Sequence, residues 1–219
     1  MMPFSFFGIM YVPSVLVVRG DPAATASNII TSEWLFRSGT VGHLVGQIIF
    51  VFLVLALYQL LAPVNRGHAV LMVVLALLGV PVAFVNEVNH LAVLRLLSGA
   101  DYLEHLTPVQ LHAHAMLFLD LRQGGLMFAQ VFWGLWLLPL GYLVFRSGFL
   151  PRLLGILLII AGAGYLADVV IRLLFPGIDA TVSQFTFVGE LLLPLWLLFK
   201  GVNVEAWQRV ALTAGARES

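Results

Sequence analysis

The chain has no cysteine among its 219 residues. That excludes disulfides, thiolate metal sites and a cysteine nucleophile. Charge is scarce as well. Asp, Glu, Lys and Arg make up 10% of the residues, against about 25% in a typical soluble domain. The 11 basic and 11 acidic residues cancel, and no basic stripe or tail offers a nucleic-acid footprint. The local signatures HExxH and GxSxG are missing too, as is a paired-aspartate motif. No Lys or Arg precedes the first apolar run. The charged start of a secretory signal is therefore lacking, although Ala24-Thr25-Ala26 has a small-x-small form. That run is read as a retained first helix, short for a full crossing.

What the chain holds in excess is apolar surface, at 61% of its residues. A helix needs about 20 mostly apolar residues to cross a hydrocarbon layer roughly 30 Å thick. Six stretches are read as spans: residues 4–18, 41–61, 69–97, 123–145, 153–175 and 183–199, with a polar tail at 200–219. The expectation is an all-α fold. It is a polytopic transmembrane helix bundle of about six spans plus short interfacial helices, in one domain over residues 1–219. Its first partner is the lipid bilayer.

Local signals mark helix starts. Asp21-Pro22 pairs an acceptor side chain with proline at the first helical position. Thr107-Pro108-Val109-Gln110 reads as a capping box. A helix running unbroken from there to Phe145 would be about 57 Å long, too long for one crossing. Arg122-Gln123-Gly124-Gly125 is therefore read as a break, with a surface-lying helix before it and the fourth span after it. Arg66, Arg146, Arg152, Lys200, Arg209 and Arg217 fall at one set of span ends, and Arg19, Arg37, Arg95, Arg122 and Arg172 at the other. Acids that can pair with them lie beside the second set. The positive-inside rule then places both termini in the cytoplasm and most titratable groups toward the outer side of the membrane.

The polar residues inside these apolar stretches are the candidates for function. Asn86-Glu87-Val88-Asn89-His90 interrupts the third span, and helical spacing puts Asn86 and His90 on one face. Such groups are costly in hydrocarbon and must face other helices or an aqueous cavity. They serve equally well as a binding site or proton relay and as interhelical glue. Tyr165, Asp168 and Arg172 share a face of the fifth span, where an Asp168–Arg172 ion pair is the plain reading. Glu190 lies inside the sixth span with no basic residue within a turn. His43 and Gln47 line the second span; Asp120 and Arg122 read as an interface anchor. His112-Ala113-His114 places its imidazoles about 200° apart on a helix, so the pair cannot share one ion. No metal and no cofactor is assigned.

Several segments resemble a known family. They are Phe132-Trp133-Gly134-Leu135-Trp136-Leu137-Leu138-Pro139-Leu140-Gly141, Ser147-Gly148-Phe149-Leu150-Pro151-Arg152 and Gly164-Tyr165-Leu166-Ala167-Asp168. With Tyr11-Val12-Pro13-Ser14, Leu35-Phe36-Arg37, Asn86-Glu87-Val88-Asn89 and Gly189-Glu190, they resemble an uncharacterised prokaryotic polytopic membrane family, domain of unknown function 4386. The resemblance implies membrane location and a helical bundle, and no known activity. It also implies a longer first helix than a start at Met1-Met2-Pro3 allows, so that start is read as displaced. His90, His105, His112 and His114 are not part of the pattern, which leaves Arg37, Glu87, Asp168 and Glu190 foremost.

Three functional classes follow. The first is a non-enzymatic membrane protein that binds or moves a small molecule, lipid or proton through an outward-facing polar cluster. Its candidate residues are Glu87, Asn86, His90, Asp168, Arg172, Glu190 and Arg37. The second is a membrane-embedded hydrolase, metal-dependent or not, using Glu87, His90 and Asp168. The third is an accessory subunit whose charges only hold helices together. The first reading expects Glu87, Asp168 and Glu190 to gather in one protein-lined space.

Overall fold

A computed structural model describes residue 4, residues 6–175, residue 177 and residues 181–218. Met1, Met2 and Pro3, where the displaced start was read, lie outside the described residues. Among those described, all regular structure is helical. Helix α1 covers Phe7–Leu16 and opens with a π-helical stretch at Phe7–Tyr11. Then come α2 (Pro22–Thr31), α3 (Glu33–Leu61), α4 (Arg66–Asn86) and α5 (Val88–Leu96). After a 3-10 turn at Asp101–Leu103 follow α6 (Pro108–Arg146), α7 (Arg152–Leu174), α8 (Ser183–Thr186), α9 (Val188–Phe199) and α10 (Val204–Glu218).

Among the described residues, four helical segments are long and apolar enough to cross a membrane: α3, α4 with α5, α6 and α7. A fifth crossing results if Ser183–Phe199 and Val204–Gly215, bent by 104°, count together. Helix α1 is a shorter apolar helix. No more than half of the apolar window of any of the four is buried. Phe52, Val85 and Leu174 stand out among the exposed side chains. Apolar surface on that scale is untenable in water and suits lipid.

The expected caps are present. Asp21 Oδ1 accepts from the Ala24 amide at 2.9 Å. Thr107 and Gln110 bond reciprocally, with Gln110 Oε1 accepting from the Thr107 amide at 2.9 Å and Thr107 Oγ1 from the Gln110 amide at 3.3 Å. The break expected at Arg122–Gly125 is absent: α6 is one helix of 39 residues, about 58 Å long at 1.5 Å per residue. Two glycines cost a helix only about 1 kcal/mol each against alanine, and contacts made across the helix outweigh that.

The residues form two compact units, Met1–Phe52 with Val80–Met127, and Leu53–Gly79 with Phe128–Ser219. In the first unit Val12, Leu16, Ile29, Phe36, Val93 and Ala115 form a buried core. Thr25, expected at a cleavage motif, is buried inside α2; its hydroxyl oxygen accepts from the Val18 amide at 2.9 Å. In the second unit, α6 and α7 approach along paired glycines. A Cβ built on Gly134 would lie 2.8 Å from the Gly162 carbonyl oxygen, and one on Gly141 would lie 2.6 Å from that of Gly155. Small residues let membrane helices pack backbone to backbone in this way. The connection between them needs Gly148, at φ 72°, and is closed by the Ser147 hydroxyl accepting from the Leu150 amide at 3.2 Å.

Candidate functional site

The polar interruption at 86–90 sits at the junction of α4 and α5. The helix tightens there: the Glu87 amide bonds to the Phe84 carbonyl at 3.1 Å, and the His90 amide to the Glu87 carbonyl at 3.0 Å. Both are three-residue steps, the spacing of a 3-10 turn. Asn86, Glu87 and His90 are all buried.

Glu87 is the hub. Its Oε1 lies 2.6 Å from His43 Nδ1 on α3. The same oxygen accepts from Arg122 on α6, at 2.9 Å from a terminal guanidinium nitrogen and 3.2 Å from Nε. Its Oε2 lies 3.1 Å from His90 Nδ1 but receives no hydrogen bond. His90 Nδ1 is instead hydrogen-bonded to Thr40 Oγ1 at 2.8 Å, and Phe36 packs on the ring at a centroid distance of 4.4 Å. His43 Nε2 lies 3.1 Å from Gln47 Nε2. The row Thr40, His90, Glu87, His43, Gln47 thus starts and ends on α3. Those two ends are about 10 Å apart along the helix axis.

Asn86 holds α6 in register with this hub. Its Nδ2 donates to the Arg122 carbonyl at 2.8 Å, and its Oδ1 accepts from Asn89 at 3.0 Å. Gly125 makes room for it. A Cβ there would fall inside the amide, 2.9 Å from Asn86 Nδ2 and closer to the other amide atoms, whereas Gly124 faces open space. The Gly-Gly pair read as a break is thus one packing position beside one free position.

Asp168, Glu190 and Arg37 have partners of their own. Asp168, fully buried, accepts from the backbone amides of Val182 and Ser183. It holds the start of α8 and, among the described residues, makes no ion pair with Arg172. Arg172 is half-buried on α7. Glu190, on α9, accepts from the Tyr165 hydroxyl at 2.9 Å. Arg37 pairs with Glu33 at 2.6 Å on an exposed stretch of α3, where such a pair contributes little. His114 bonds the Gln110 carbonyl of its own helix. Among the described residues no group of three or more His, Asp or Glu has the geometry to hold a metal ion.

Residues 1–201 match the family described as Domain of unknown function (DUF4386). The chain belongs to this family. A protein of Archaeoglobus fulgidus, described as an uncharacterized protein, is 42% identical over 71 residues, covering 32% of this chain and 43% of the relative. The chain thus spans less than half the length of the curated relative it matches. No solved structure matches at a significant level.

Two members of the hub were not among the expected site residues. Arg122 was read as an interface anchor beside a break, and His43 as a lining residue. A signal for Arg122 existed. A guanidinium deep in an apolar run requires a carboxylate, and Glu87 has no Lys or Arg within two turns on its own helix.

Proposed function

We propose that this chain is a membrane protein that binds or moves a small molecule, lipid or proton, with the Glu87 hub as its working site. The observation that carries the reading is the pair of imidazoles flanking one buried carboxylate. A structural lock needs only Glu87 and Arg122. His43 and His90 add two groups of the kind that exchange protons near neutral pH, in a row about 10 Å long. Ionisable residues inside a membrane segment favour function over architecture. The reading places the protein in a prokaryotic cell membrane with both termini cytoplasmic. Support comes from Arg66, Arg146 and Arg152 at the ends of apolar helices. Asp168, Arg172 and Glu190 serve as a secondary polar set in this proposal, and Arg37 as a peripheral charge.

The test is proton flux and ligand binding in liposomes reconstituted with the full chain. Glu87→Gln is expected to abolish most of the activity, and Glu190→Gln to reduce it. If both variants fold and neither changes flux or binding, the reading fails. The neutral Glu87–Arg122 pairing favours one second reading, an accessory subunit. That reading expects Glu87→Gln to lower thermal stability and nothing else.

A further inference from the structure

The hub contains a residue pair with two arrangements that differ by one proton. His43 is fully buried. Its Nδ1 faces Glu87 Oε1 at 2.6 Å. A carboxylate only accepts, so Nδ1 carries hydrogen. Its Nε2 faces the amide nitrogen of Gln47 at 3.1 Å. That nitrogen only donates, so Nε2 accepts and the ring is neutral. Gln47 is buried too, and its Oε1 is a buried acceptor with no donor. Such an orphan costs about 1–3 kcal/mol. Turning the amide over presents Oε1 to His43 Nε2, an arrangement that needs hydrogen on Nε2 and a charged ring.

We propose that the ligand of the Glu87 hub is a proton, taken up at Nε2 of His43, with the Gln47 amide turning over to hold it. This rests on the reading of the hub as a working site. The step balances simply. A hydronium ion gives its proton to the Nε2 lone pair and leaves water, and the ring gains one positive charge. The neutral amide-to-imidazole bond becomes a charge-assisted one, about twice as strong. The groups around His43 decide where the proton goes. Glu87 comes from the α4–α5 junction, Arg122 from α6 through Glu87 Oε1, and His90 from α5 on Glu87 Oε2. Thr40 and Gln47 share its own helix, and Gly8 of α1 approaches its Cβ without a side chain. With neutral imidazoles Glu87 and Arg122 cancel, so loading takes the hub from zero to one positive charge. Glu87 Oε1 already accepts from His43 and twice from Arg122, while Oε2 has no donor, so carboxylate and ring compete for the proton; the Gln47 amide, able to turn its oxygen to Nε2, favours the ring. Of the two rings, His43 alone among the described residues has an amide on its second nitrogen that can serve as donor or acceptor.

The experiment uses the full chain in phosphatidylcholine–phosphatidylglycerol vesicles, labelled with 15N-histidine and 13C-glutamate. Ring-nitrogen and carboxyl signals are read by solid-state NMR between about pH 5 and 8. His43 is assigned by the signal lost in His43→Asn. Wild type should pass from the Nδ1–H neutral form to the doubly protonated ring as the vesicles are acidified. At one pH where both forms are present, Gln47→Glu should raise the charged-to-neutral ratio about tenfold or more, as a carboxylate partner does. Gln47→Leu, lacking an acceptor, should lower it. The inference is overturned if His43 stays neutral throughout, if both variants keep the wild-type ratio, or if the proton is found on the Glu87 carboxyl. Should Gln47→Leu not fold, wild type and the nearly isosteric Gln47→Glu decide. Loading of His43 alongside flux indifferent to Glu87→Gln would sink the function and leave this site standing. Flux that needs Glu87 beside a His43 that never charges would do the reverse.

Discussion

Adjacent glycines on α6 offer the sharpest check on how the hub is built. Gly124→Ala adds a methyl group where nothing lies within 4 Å, while the same change at Gly125 drives a methyl group into the buried Asn86 amide. Alanine gains about 1 kcal/mol over glycine inside a helix, and Gly124→Ala should keep that gain. At Gly125 the amide must move, losing its bond to the Arg122 carbonyl and its bond from Asn89. An orphaned buried polar group costs about 1–3 kcal/mol, and overpacking costs a similar amount. Against the propensity gain, Gly125→Ala should be destabilising by about 1–5 kcal/mol. The assay is reversible unfolding of the purified protein in mixed micelles, followed by circular dichroism. Asn86→Ala on the Gly125→Ala background should restore part of the loss, because the clash partner is gone; the cycle should show coupling above about 0.5 kcal/mol. If the two glycine variants behave alike, the Asn86–Gly125 contact is not what shapes this stretch, and the break read from the Gly-Gly pair returns.

Two further outcomes concern the second unit. Asp168→Asn should destabilise by about 1.5–3 kcal/mol in the same unfolding assay, because two backbone amides at the start of α8 lose a charged acceptor; equal stability would mean that Asp168 does not hold that helix. Gly141→Val should cost more than about 2 kcal/mol, since its side chain meets the Gly155 carbonyl and must part α6 from α7; a neutral result would show that the glycine pairs do not set the approach.

Much of the architecture was legible because membrane folding leaves a one-dimensional record. Apolar length alone located α3, α4 with α5, α6 and α7, since any helix in lipid must be apolar over about 20 residues. Asp21 and Thr107 marked helix starts because caps act within three or four residues of themselves. Asn86, Glu87 and His90 stood out because polar groups in an apolar run are conspicuous wherever they end up. Arg122-Gln123-Gly124-Gly125 misled because glycine carries two meanings: weak helix propensity, which is local, and room for a neighbour, which is not. Only the Asn86 amide, 39 residues earlier by numbering, separates them. Asp168 misled in a similar way. Its helix offered Arg172 one turn on, but α8 brought two unsatisfied amides, and a buried carboxylate is better met by those than by a side chain that can reach elsewhere.

Composition and periodicity were enough to make this an all-helical chain suited to lipid, and to say which segments carry polar residues that lipid would reject. They could not say which of those residues meet. Glu87 is joined to His43 and Arg122, 44 and 35 positions away, and nothing in its own helix names either. Hydrocarbon solvent acts on each residue separately, so its demands can be read one residue at a time. A hydrogen bond needs two partners within about 3 Å, and only the packing of separate helices decides who those partners are.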